Sequence, residues 1–173
     1  MRLAGALLVL AFVAMLLPDV SVAGPAAKLP LPRFVTLKRS HTNVRVGPGT
    51  DYPIKWIFVK PAYPVEIFQQ FGNWMRVRDW TGEEGWIYHF MLSGTRNALV
   101  APWLKKGVNM RTGAAVTARV DAVLDPRVLV HIHECDGSWC DVQVSGDNLR
   151  GYVRQTNLWG VYPGETLQTS GLW

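Results

Sequence analysis

The sequence predicts an all-β protein built as two small tandem units, each a barrel or sandwich of short strands. Three observations carry that prediction. Residues 43–92 recur in outline at 109–158, with the offset held at 65 or 66 residues. Apolar and polar residues alternate over short runs separated by Gly and Pro, which is the pattern of half-buried strands joined by turns. Beyond the N-terminal segment, no run of about eleven residues shows a 3.6 period.

The repeat is legible residue by residue. Asn43-Val44-Arg45 returns as Asn109-Met110-Arg111, and Gly47 as Gly113. Asn73-Trp74-Met75-Arg76-Val77 returns as Ser138-Trp139-Cys140-Asp141-Val142. Gly85-Trp86-Ile87 returns as Gly151-Tyr152-Val153, and Leu92 as Leu158.

Read in order, residues 1–23 form a secretory signal peptide. A basic start, an apolar run from Leu3 to Leu17 and the small residues Ser21-Val22-Ala23 place cleavage after Ala23. Residues 24–33, with three prolines, are an extended leader. The first unit is expected over 34–100. Its strands are Val35–Leu37, Asn43–Val46, Ile54–Val59, Val65–Phe68, Trp74–Arg78 and Trp86–Tyr88. Phe71-Gly72-Asn73 is the hairpin turn between the fourth and fifth of these. The second unit, 101–162, repeats this grammar, with strands near Asn109–Arg111, Val128–Cys135, Cys140–Val144 and Gly151–Val153. Residues 163–173 form a C-terminal tail. No apolar segment of the mature chain is long enough to span a bilayer.

Composition narrows the function classes. The formal net charge of +5 survives removal of residues 1–23, which carry one Arg and one Asp. That modest excess suits acidic envelope polymers or anionic headgroups. The basic residues are scattered rather than striped, and export argues against nucleic acid. Two cysteines, an even number in an exported chain, fit one disulfide. A unit of about 65 residues has a marginal core, so added support is expected.

The run Asn43-Val44-Arg45-Val46-Gly47-Pro48-Gly49-Thr50-Asp51-Tyr52-Pro53, then Trp74 with Val77, then Gly85-Trp86-Ile87, resembles the bacterial SH3-like (SH3b) domain. Met91-Leu92-Ser93-Gly94 with Arg96 also suits the exported version of that family. The resemblance covers roughly 34–162 and implies two tandem SH3-like β-barrels that bind cell-wall or envelope peptides. Within that pattern Val44, Val46, Ile67 and Val77 suit core positions. Arg45 and Arg111 suit a structural role, such as bonding turn carbonyls. Gly85 and Gly151 suit a bend or a positive φ before a strand. In the second unit Ala114 and Ala115 replace Pro48 and Gly49, a departure in the loop itself.

The candidate binding residues are aromatic. Trp74, Tyr88 and Trp139 sit beside turns, where a large apolar ring with a polar tip makes a platform for a peptide or sugar. Asp51 and Tyr52 on the preceding loop add a rim. Trp86 and Tyr152 read as core. Cys135 and Cys140 flank Asp136-Gly137-Ser138-Trp139 and would face each other across the mouth of a hairpin, a separation a disulfide can bridge. The rival is metal, because His131, His133 and Cys135 at i, i+2 and i+4 would share one face of a strand. A span of about 13 Å from i to i+4 exceeds what zinc bonds of about 2.0–2.3 Å can gather. No cofactor or metal is therefore expected. Nucleophilic catalysis fares no better, since the thiols consume each other and no serine has a G-x-S-x-G setting. His41 and His89 stand isolated in sequence.

These readings converge on a non-catalytic, periplasmic or secreted binding or adaptor protein. Its expected partner is a peptidoglycan peptide or an envelope protein, with no nucleic acid. The alternatives are a purely structural interaction module without a small ligand and, more remotely, a thiol or metal-dependent hydrolase.

Overall fold

The computed structural model describes residues 29–168. The expected signal peptide, most of the expected leader and the last five residues lie outside the described residues. The first sheet contains β1 (Arg33–Leu37), β2 (Thr42–Arg45), β3 (Ile54–Phe58), β4 (Pro64–Phe71), β5 (Trp74–Arg78), β6 (Glu84–Tyr88) and β7 (Leu92–Ser93). A 3₁₀ turn, His89–Met91, links the last two. The second contains β8 (Asn97–Val100), β9 (Val108–Arg111), β10 (Val120–Leu124), β11 (Leu129–Asp136), β12 (Trp139–Val144), β13 (Arg150–Arg154) and β14 (Leu158–Trp159). A terminal strand, β15 (Thr166–Gln168), pairs with β11 off the main path.

The strand order is β3-β2-β6-β5-β4-β1-β7 in the first sheet and β10-β9-β13-β12-β11-β8-β14 in the second. The two orders are identical once seven is added to each label, so the sequence repeat is a repeat of topology. Neither order closes on itself, and the expected barrels are therefore open. Topology also moves the boundary between the units. Asn97–Val100 pairs with β11 and β14, so it opens the second unit rather than ending the first. The tail expected from residue 163 supplies β15.

Alternation places the core. Val35, Leu37, Val44, Val65, Ile67, Met75, Val77 and Ile87 form one buried cluster. Val130, Ile132, Cys135, Cys140, Val142 and Val153 belong to the corresponding cluster of the second unit. Val46 is not among them: β2 ends at Arg45, and Val46 is 52% exposed in the loop.

A register shift recurs in both copies. The β4–β5 ladder slips between Ile67 and Gln69, and the β11–β12 ladder between Ile132 and Glu134. A β-bulge places two residues opposite one and reverses the facing of everything beyond it. Cys135 thereby joins Ile132 and Val130 in the core, while His131 and His133 stay on the other face. The shared face expected for His131, His133 and Cys135 does not exist. Cys135 instead pairs in register with Cys140 and forms the disulfide, with 4.1 Å between Cα atoms.

The units pack on one another. Phe34 of β1 meets the rings of Trp159 and Tyr162 at 5.0 and 4.8 Å between centroids. The Tyr162 hydroxyl donates to Glu66 Oε1 at 2.7 Å, and Arg78 Nε donates to the other oxygen of that buried carboxylate. Asn97 Nδ2 donates to the carbonyl of Ala62 at 2.9 Å.

Candidate functional site

The loop after β2 is fixed by its own residues. Arg45 Nη1 donates to the carbonyl of Tyr52 at 2.7 Å, and Arg111 Nη1 donates to that of Ala118 at 2.6 Å. The two arginines therefore bond turn carbonyls in both copies. The backbone bonds match too. Val46 N–H donates to Pro53 O and Gly49 N–H to Gly47 O; Thr112 N–H donates to Arg119 O and Ala115 N–H to Gly113 O. The second loop keeps its shape without Pro48 or Gly49. What it loses is the lid. The Tyr52 ring lies where a Cβ on Gly47 would stand, with Gly49 close beneath it. In the second unit only Ala118 approaches Gly113, at 3.6 Å.

Between this loop and the β5–β6 edge lies a groove of about 550 Å³. Asn43, Arg45, Thr50, Asp51, Trp74 and Tyr88 line it. Trp74 and Tyr88 are partners in register across β5 and β6, and their rings meet edge to face at 5.4 Å. Tyr88 continues the cluster to His89 at 5.1 Å and Phe90 at 5.6 Å. Phe90 is 64% exposed, and Phe71, the register partner of Trp74 on β4, is 65% exposed. Three of the sequence candidates, Asp51, Trp74 and Tyr88, thus share one groove, and Tyr52 covers the glycines of the adjoining loop. Trp139 lies in the other unit, 7% exposed beneath Arg154, whose guanidinium stacks 4.7 Å from the ring centroid.

Asn43, His41 and Met91 also line the groove, although the sequence does not mark them as binding residues. One signal existed for Asn43: it recurs as Asn109 while facing outward, so no core role explains it. Two other expectations change. Trp86 is buried but stands outside the core cluster, on the face it shares in register with Arg45 and Arg76. Tyr152, its counterpart, is only half-buried on that same outer face.

Ionisable groups respond to burial and to their neighbours. Burial and the Asp79 charge push the Tyr63 phenol up to about 12. Burial, and then the bond to Glu66, push Tyr162 up further. Burial pushes the Glu165 carboxyl up, but bonds from Arg96 and the Tyr162 N–H outweigh it and hold the group below its usual range. Burial, with the neighbouring His133, pushes His131 down. Both thiols are committed to the disulfide, so a thiol hydrolase would have no nucleophile. Among the described residues, no three His, Cys, Asp or Glu side chains gather into a metal site. No helix among them is long and apolar enough to cross a membrane.

The fold and the repeated loop define a tandem all-β protein of small open barrels. The family model described as the bacterial SH3 domain matches residues 38–94 and again 104–160, and the chain belongs to that family. No curated protein matches it. Among solved structures it is similar to NlpC1 from Trichomonas vaginalis, at 17% identity and a TM-score of 0.31, covering 82% of this chain and 50% of that one. It is also similar to NlpC2 from Trichomonas vaginalis, at 17% identity and a TM-score of 0.32, covering 76% of this chain and 49% of that one. The chain spans about half the length of these solved structures.

Proposed function

We propose that this protein is a non-catalytic, exported binding module whose first unit holds an extended cell-wall peptide or a segment of an envelope protein. The observation that carries the reading is the convergence of Asp51, Trp74 and Tyr88 on one groove beside a hydrogen-bonded loop. Such a groove offers ring faces for apolar or amide surface, a phenol for hydrogen bonding and a carboxylate for a cationic group. The exposed Phe71 and Phe90 extend the apolar surface beyond the groove. The disulfide suits an oxidising compartment, which supports a periplasmic or secreted location.

The test is co-sedimentation with purified sacculi, paired with crosslinking in intact envelopes. Trp74→Ala is expected to weaken capture by about 30-fold, the loss of about 2 kcal/mol usual for an aromatic anchor. Its melting temperature should change little, because Trp74 lies outside the core cluster. If the variant unfolds while binding per folded molecule is unchanged, Trp74 is a packing residue and the groove assignment fails.

A further inference from the structure

The second unit carries the same groove with its charge changed. Asn109, Arg111, Val116, Trp139, Arg154 and Asn157 line a cavity of about 290 Å³. Shifted by the repeat offset, these positions are Asn43, Arg45, Thr50, Trp74, Tyr88 and Met91, all of which line the first groove. Two substitutions set the electrostatics apart. Arg154 stands where Tyr88 stands, and Thr117 where Asp51 stands. The flanking segments are equally basic, with Lys38-Arg39 in the first unit and Lys105-Lys106 in the second. The second groove is therefore two charge units more positive than the first.

We infer that this second groove is a carboxylate site, taking the C-terminal residue of a peptide, and that the two units read different parts of their ligand. The inference rests on the binding role given to the first groove. Arg154 is exposed, and its side chain makes no hydrogen bond or ion pair among the described residues. A solvent-exposed guanidinium held 4.7 Å from the Trp139 ring centroid suits bidentate contact with a carboxylate. Arg111 is occupied by the Ala118 carbonyl, so Arg154 is the free cation of the groove wall. Beside it Val116 is 58% exposed and Leu104 42% exposed. A carboxylate with one apolar side chain attached matches that juxtaposition. The cavity has about half the volume of the first, which suits a terminal residue better than a continuing chain.

The experiment is an NMR titration of the protein spanning both units, following the indole N–H signals of Trp139 and Trp74. The probes are N-acetyl-alanyl-alanine, the same dipeptide with a C-terminal amide, and N-acetyl-glutamyl-alanine amide. The free acid should move the Trp139 signal and bind there at least tenfold more tightly than either amide, with the preference shrinking as salt is raised. Arg154→Tyr, which restores the first unit's side chain at an exposed position, should abolish the preference and leave the Trp74 response intact. Arg154→Gln gives the same reading if the tyrosine variant melts early. Equal binding of acid and amide at Trp139 overturns the inference, as does tighter binding of the glutamyl amide. A response at Trp74 alone also overturns it while sparing the first groove; silence at both indoles sinks both readings.

Discussion

Gly85 and Gly151 are held by what lies across from them. A Cβ on Gly85 would strike Val44 Cγ1, and one on Gly151 would lie 2.7 Å from the carbonyl oxygen of Arg111. Neither takes a positive φ, so the bend expected from sequence is a close approach of β2 to β6, and of β9 to β13. The recurrence of the two glycines was legible; its cause was not, because it depends on a strand more than 35 residues away. Alanine at either site should cost about 1–3 kcal/mol in urea melts, as overpacking does. Gly85→Ala should be no milder than Gly151→Ala, since Val44 is β-branched and fully buried and the Arg45 carbonyl oxygen lies 3.0 Å away. Gly82→Ala is a contrasting case. It has open space around it and φ +86°, so its cost should be the left-handed penalty of about 1–2 kcal/mol alone. No measurable loss for Gly151→Ala would show that the facing strand yields to the added methyl and that close approach does not govern the position.

At the scale of elements, each central hairpin was predicted by its turn, and its bulge was not. Gly72 and Gly137 take φ +52° and +94° at the first loop position, where a II′ turn accommodates glycine. The bulges leave no comparable mark, because any residue can occupy the extra position. The sequence therefore reveals the pairing of Cys135 with Cys140 but not the side of the strand that Cys135 faces. In the first unit the corresponding register pair is Gln70 and Met75, and that hairpin forms without a covalent link. The double variant Cys135→Ala, Cys140→Ala should therefore keep the hairpin and lose about 2 kcal/mol, the chain-entropy value for so short a loop. A second test lies in the turns entering β4 and β11. Ala62 and Arg127 occupy repeat-equivalent positions with φ +62° and +70°. Ala62→Gly should stabilise the protein by about 1 kcal/mol by relieving that strain. A lower denaturation midpoint would show that the Ala62 methyl contributes packing worth more than the strain.

For the whole molecule, the repeat reveals two units but not how they join. Glu66 corresponds to His131 in the second copy, and Tyr162 lies beyond the repeated region, so the interface has no symmetry to read from sequence. It is instead a relay of polar contacts. Arg96 grips both oxygens of Glu165 at 2.8 and 3.0 Å; Glu165 Oε2 accepts the Tyr162 N–H at 2.8 Å; and the Tyr162 hydroxyl reaches Glu66. With Phe34 stacked on Trp159 and Tyr162, this relay should make the units unfold together, giving one calorimetric transition at neutral pH. Acid should break the relay at Glu165. Its carboxyl is held below the usual value in the folded chain, so its contribution is complete above the unfolded pKa of about 4.3 and is lost as pH falls through the lower folded value. Lowering the pH from about 6 to about 3 should thus split the single transition into two. Glu165→Gln should already show two at neutral pH, because the amide cannot accept Arg96 on both atoms. Phe34→Ala should do the same through the apolar half of the interface. Two resolved transitions in the unaltered protein at neutral pH would mean that the units touch without coupling. The two grooves would then engage a ligand as beads on a string rather than from fixed positions.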